Sequence, residues 1–141
     1  MSNGRYKGYY WLITSELAAQ DDIVALDSPL YEFSEPKLAE EGRVVARILF
    51  RNGSVVHVHF RLKHDGEVTE FDYAYVCEDA KGERLVQYDD NEHHPDIPTS
   101  PHHMHKGPKP KRKGEDRAWP LDIELVSFET VLQRIRKRLF S

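Results

Sequence analysis

The sequence predicts an α+β domain in which an antiparallel β-meander of about four to six strands packs against a C-terminal helix and a short N-terminal helix. Three observations predict it. Apolar residues alternate with period two from Arg43 to Lys63, interrupted by Asn52-Gly53. Further strand-like runs follow glycine-bearing turns at His64-Asp65-Gly66 and Lys81-Gly82. Near the C-terminus, Phe128, Leu132, Ile135 and Leu139 recur at spacings of four and three, which draws one apolar stripe down a helix. With 141 residues, the chain reads as a single domain, 1–141, able to bury a core without staples.

Thr14 to Asp22 reads as the short N-terminal helix, because Thr14 or Ser15 can cap it and Leu17, Ala18 and Ala19 favour it. Leu30–Phe33 is a candidate edge strand. In Arg43–Arg51, Val44, Ala46, Ile48 and Phe50 share one face. Asn52-Gly53 accepts the positive φ values of a type I′ turn, predicting a hairpin into Ser54–Lys63. There Val56, Val58, Phe60 and Leu62 point inward, and His57, His59 and Arg61 take the opposite face. That face is solvated unless the hairpin looks toward the histidine segment. Strands Val68–Glu78 and Glu83–Asp89 complete the meander, with Phe71, Tyr73 and Tyr75 together on one face. A histidine-rich loop over 89–106 precedes a basic, mobile loop over 106–118, where prolines and glycines deny a regular element. Leu121, Ile123 and Leu125 then suggest a strand, with Ser127 capping a helix from Phe128 to Phe140; one longer helix from Asp122 is the alternative.

Composition narrows the function classes. No apolar run reaches the roughly 18–20 residues that span a bilayer, and Met-Ser-Asn-Gly-Arg-Tyr-Lys lacks an apolar signal core, so a cytoplasmic protein without a membrane partner is expected. The single Cys77 ends an apolar strand and reads as a buried, inert thiol. The net charge of −4 is segregated: −5 over residues 1–42, −4 over 43–105 and +5 over 106–141. A local positive patch binds phosphate on an acidic protein because counterion release depends on local contacts, so the overall charge does not exclude nucleic acid.

The chemistry concentrates elsewhere. Five of the thirteen residues from His93 to His105 are histidine. Imidazole exchanges protons near neutrality and is the commonest neutral metal ligand. On an extended segment His103 and His105 lie on one face, roughly 6.5–7 Å apart at Cα, close enough to converge on one metal or one phosphate. Pro95, Pro98 and Pro101 stiffen the connector that would bring His93-His94 toward them.

The same stretch carries a resemblance. Tyr88-Asp89-Asp90-Asn91-Glu92-His93-His94-Pro95-Asp96, then Thr99, then Pro101-His102-His103-Met104-His105, resembles the signature of the TumE family of prokaryotic toxins. That signature runs approximately Tyr-Asp-Asn-x-Pro-His-His-Pro-Glu and, after a gap, Pro-His-His-x-His. Phe71-Asp72-Tyr73-Ala74-Tyr75 resembles the family's Tyr-x-Tyr strand, and the match covers roughly residues 40 to 139. Asp90, Glu92 and Asp96 depart from the pattern, and the basic insert after His105 is longer. The resemblance implies the toxin of a toxin–antitoxin pair, with a separately encoded antitoxin as partner.

Residue chemistry supplies the expected activity, an endoribonuclease acting on RNA, free or on the ribosome. A 2′-hydroxyl attacks its neighbouring phosphate when one group removes its proton, another protonates the leaving oxygen and a cation steadies the charge. His93, His94, His102, His103 and His105, with Tyr88 and Asp89, are the catalytic candidates. Tyr73, Arg61, Arg84 and Lys106 are the substrate-binding candidates. This reading requires no cofactor. Its rival places zinc or another divalent metal on His94, His103 and His105, with Asp89 or Asp96 adding oxygen, in an RNA- or nucleotide-modifying enzyme or a non-enzymatic module that blocks translation. Cysteine pairs and a helical His-Glu-x-x-His, which would make zinc specific, are absent. The plainest alternative is a loop of His, Asp and Pro that only caps turns. The sequence sets no oligomeric state.

Overall fold

Alternation of apolar and polar residues produces the sheet, and its two faces have different fates. The computed structural model describes residues 11, 15, 23–27, 31–32, 42–91, 96–112, 114–123 and 126–140. Its elements are β1 (Ile23–Asp27), β2 (Tyr31–Glu32), β3 (Gly42–Phe50), β4 (Val55–Asp65), β5 (Glu67–Glu78), β6 (Arg84–Asp89), β7 (His103–Lys106), β8 (Trp119–Pro120) and α1 (Phe128–Phe140). Neighbours pair antiparallel in the order β1-β3-β4-β5-β6-β7-β8, and β2 also pairs with β3. Six strands have four residues or more, and β2 and β8 have two each. This is the expected α+β meander closed by a C-terminal helix. The N-terminal helix expected over Thr14–Asp22 lies almost wholly outside the described residues.

The inner face carries the core. Val44, Ile48, Val56, Phe60, Leu62, Tyr75 and Tyr88 are buried beneath Phe128, Val131, Leu132 and Ile135 of α1. Burying each such side chain contributes on the order of 2 kcal/mol. Ser127 caps the helix: its hydroxyl accepts the Thr130 N–H at 3.2 Å, while its own N–H donates to Thr130 Oγ1 at 3.0 Å. Glu70 reaches the same end from β5 and accepts the Phe128 N–H at 2.6 Å and the Tyr75 hydroxyl at 2.6 Å. The helix therefore begins at Phe128 rather than Asp122. Residues 121–123 are irregular, because Leu121 and Ile123 pack on the core from a connector and not from a ladder.

Three local features differ from expectation. At Asn52-Gly53 only the glycine has positive φ, +89°, and Phe50 N–H donates to Ser54 carbonyl at 2.8 Å. The loop thus has three residues ending in a left-handed glycine, where type I′ needs two positive φ values. On β5, Asp72 has φ +50°, and Asp72 and Tyr73 together oppose Phe60 as the register shifts between His59 and Arg61. This bulge reverses the side-chain parity of the strand. Phe71 consequently lies on the outer face with Arg61, while Tyr73 and Tyr75 remain in the core. Lastly, the end of the histidine loop is a strand, β7, hydrogen-bonded to β6.

Candidate functional site

The outer face, away from α1, gathers one set of polar residues. Cross-strand register aligns His59 of β4, Ala74 of β5, Asp89 of β6 and His103 of β7 in a single row. Gln87 and His105 form the next row. Strands two apart lie roughly 9.5 Å from each other, and between His59 and Asp89 this row of the sheet carries the methyl of Ala74. A cleft of about 1170 Å³ opens here, lined among others by His59, Arg61, Phe71, Ala74, Asp89, His103, His105 and Lys109.

At one wall of the cleft Asp89, His103 and His105 are all buried. His103 Nε2 stands 2.8 Å from Asp89 Oδ1, and His105 Nε2 stands 3.6 Å from Oδ2. The two rings meet edge-on, 4.9 Å between centroids. Each ring is oriented through its other nitrogen: His103 Nδ1 donates to the Pro101 carbonyl at 2.8 Å and His105 Nδ1 to the Arg117 carbonyl at 2.9 Å. Asp89 is held by the Gln87 amide at 2.8 Å and the Asn91 N–H at 3.0 Å. Burial lowers the His105 pKa below the ordinary imidazole value.

The basic loop closes one end. Arg84, itself buried, donates to Asp116 through both terminal nitrogens, at 2.8 and 2.6 Å, and to the Gly107 carbonyl at 2.9 Å. This Arg84 hydrogen bond holds the Asp116 carboxyl below the usual carboxylate range. At the other wall, Arg43 Nε lies 3.3 Å from His59 Nε2, and burial, followed by Arg43, lowers the His59 pKa. Arg61 sits 5.0 Å above the Phe71 ring and contacts Asp72 at 3.4 Å.

The structure therefore separates the sequence candidates. Asp89, His103 and His105 come together, and Arg61 flanks the same cleft. Tyr88 does not: it is fully buried on the inner face opposite Met104, and burial pushes its hydroxyl up to about 12. Period two places neighbouring residues on opposite faces, so Tyr88 and Asp89 point apart. Tyr73 and His102 form a stacked pair joined at 2.9 Å, with the Tyr73 ring in the core and its pKa raised by burial. Arg84 is committed to Asp116, which removes it from free phosphate binding. Lys106 lies on the Trp119 ring, 4.3 Å from its centroid. His93 and His94 lie outside the described residues. His59, Gln87 and Asp116 join the site without having been singled out for it; the clue for His59 was its place on the outer face of the hairpin.

A family model described as Toxin TumE matches residues 16–139. No curated protein and no solved structure matches the chain.

Proposed function

Because the chain belongs to the TumE toxin family, we propose that it is the toxin of a toxin–antitoxin pair and that it harms the cell by cutting RNA in the outer-face cleft. The observation that carries this reading is the row His59-Ala74-Asp89-His103, in which a methyl-floored groove separates an imidazole on one wall from a buried carboxylate–diimidazole centre on the other. A phosphodiester fits over Ala74. Arg61 and Lys109 supply cationic charge at the margins, and the Arg61 guanidinium, lying on the Phe71 ring, adds a planar surface on which an unpaired base stacks.

The reaction is attack of the 2′-oxygen on the adjacent phosphorus. The 2′-hydroxyl loses its proton to His59, the P–O5′ bond breaks, and the 5′-oxygen takes a proton from solvent water, leaving a 2′,3′-cyclic phosphate and a 5′-hydroxyl. His59, kept neutral by burial and by Arg43, is the proton acceptor on its wall once the substrate phosphate draws the Arg43 Nε–H away from His59 Nε2. The Asp89–His103–His105 centre acts on the phosphate from the other. The antitoxin, a protein, neutralises the chain by covering this cleft, and the site of action is the cytoplasm.

Induced expression followed by mapping of RNA 5′ ends tests the proposal. New 5′-hydroxyl ends should accumulate with the wild-type chain and not with His103→Ala. Growth arrest without new ends overturns it.

A further inference from the structure

We propose that Asp89, His103 and His105 bind one divalent transition-metal ion of the zinc class, with a fourth coordination position open to the cleft. One ligand atom from each residue lies within 4.8 Å of the other two, and all three residues are buried. The argument turns on which nitrogens carry protons. The carbonyls of Pro101 and Arg117 can only accept, so Nδ1 is the N–H of both rings. In each neutral ring Nε2 is then a lone pair, and both lone pairs face the Asp89 carboxylate. Three acceptors are thus brought together away from water, and a cation among them removes their mutual repulsion.

The dimensions suit such a cation. Ligands about 2.0 Å from a tetrahedral metal stand about 3.3 Å from one another. The two nitrogen–oxygen separations, 2.8 Å from His103 to Oδ1 and 3.6 Å from His105 to Oδ2, lie on either side of that value, and rotation of the Asp89 carboxylate would present one oxygen to both rings. Two imidazoles and one carboxylate match zinc-like ions, whereas calcium and magnesium favour all-oxygen sites. The surroundings match as well. Metal-bound histidines usually donate their second nitrogen to a carbonyl or carboxylate, and ligating carboxylates are themselves hydrogen-bonded. Pro101, Arg117, Gln87 and Asn91 provide those partners here. Cross-strand pairing of Asp89 with His103 and of Gln87 with His105 sets the geometry on sheet rather than loop.

The role of the open position rests on the proposed RNA chemistry: it takes a phosphate oxygen and draws charge from it as the phosphorane forms. Binding itself does not rest on that reading. Untagged, full-length protein stripped with EDTA and titrated calorimetrically with zinc and with cobalt tests it. One ion per chain is expected. His103→Ala or His105→Ala should weaken binding about 100-fold or more, Gln87→Ala should weaken it about 10- to 100-fold by loosening Asp89, and His102→Ala should leave it unchanged. No binding, or equal binding by wild type, His103→Ala and His105→Ala, overturns the site, and the Asp89–His103 contact is then an ion pair of a protonated imidazole. The readings fail separately: no binding in the titration sinks the metal site alone, undiminished RNA cleavage by metal-free protein in EDTA sinks the role of the open position alone, and one bound ion with intact RNA sinks the nuclease alone.

Discussion

The carboxylate of Asp90 accepts the backbone N–H of Asp72 at 2.9 Å, and its other oxygen accepts that of Tyr73 at 3.1 Å. These two amides belong to the β5 bulge, where Asp72 takes a positive φ. Asp90 follows Asp89 directly, so one short segment both contributes to the candidate centre and secures the kink that turns Phe71 toward the cleft. Bulges commonly re-aim side chains in this way beside working sites.

Asp90→Ala removes both acceptors and should destabilise the fold by about 1.5–3 kcal/mol, the range for hydrogen bonds to a charged group. Asp90→Asn keeps one carbonyl oxygen in place and should cost less. Urea denaturation of the two variants measures the order, and equal loss would show that the second acceptor oxygen adds nothing.

Glu70 joins β5 to the start of α1 on the opposite face from the cleft. Glu70→Ala should lower stability by about 2–3 kcal/mol, because the Phe128 amide and the Tyr75 hydroxyl lose their acceptor, and toxicity should persist wherever the variant remains folded. Loss of toxicity in a variant shown to be folded would place the working surface on the helix side.

Ala74 is small where its row neighbours are large. Ala74→Leu should fill the groove, reducing RNA cleavage at least about tenfold while shifting stability by only about 0.5 kcal/mol, the usual range for a substitution at a partly open position. Unchanged cleavage by a folded variant would mean that the phosphodiester does not lie between His59 and Asp89.

Cys77 is buried in β5, and its thiol is pushed up to about 12, by burial first and by Glu78 second. A raised pKa leaves less thiolate. At pH 8 iodoacetamide should alkylate the native protein on the order of a thousandfold more slowly than a thiol of ordinary pKa. Mass spectrometry over time reads this directly, and rapid alkylation of folded protein would contradict the buried assignment.

Much of this was legible from period two alone. It assigned the core faces of β3 and β4, and the two-residue spacing of His103 and His105 already placed those rings on one side of an extended segment. Ser127 was readable as the cap because a short hydroxyl precedes an apolar stripe. Other features needed three dimensions. Nothing local marks Asp72 for a positive φ, so Phe71 was grouped with Tyr73 and Tyr75. The family motif names Tyr88 and Asp89 side by side, and only pairing with β5 and β7 shows which of them faces the helix. Asp116 meets Arg84 across 32 positions, a closure decided by how the basic loop returns over the sheet. Arg84 looked free in sequence for the same reason.

The most direct test of the nuclease reading uses a single-stranded RNA oligonucleotide and the same oligonucleotide with 2′-deoxyribose throughout. The purified chain should cut the first to fragments ending in 2′,3′-cyclic phosphate, leave the second intact, and lose at least about 100-fold in rate on the first as His103→Ala. Cleavage of both substrates, or an undiminished rate in a folded His103→Ala protein, would contradict attack by the 2′-oxygen at this centre.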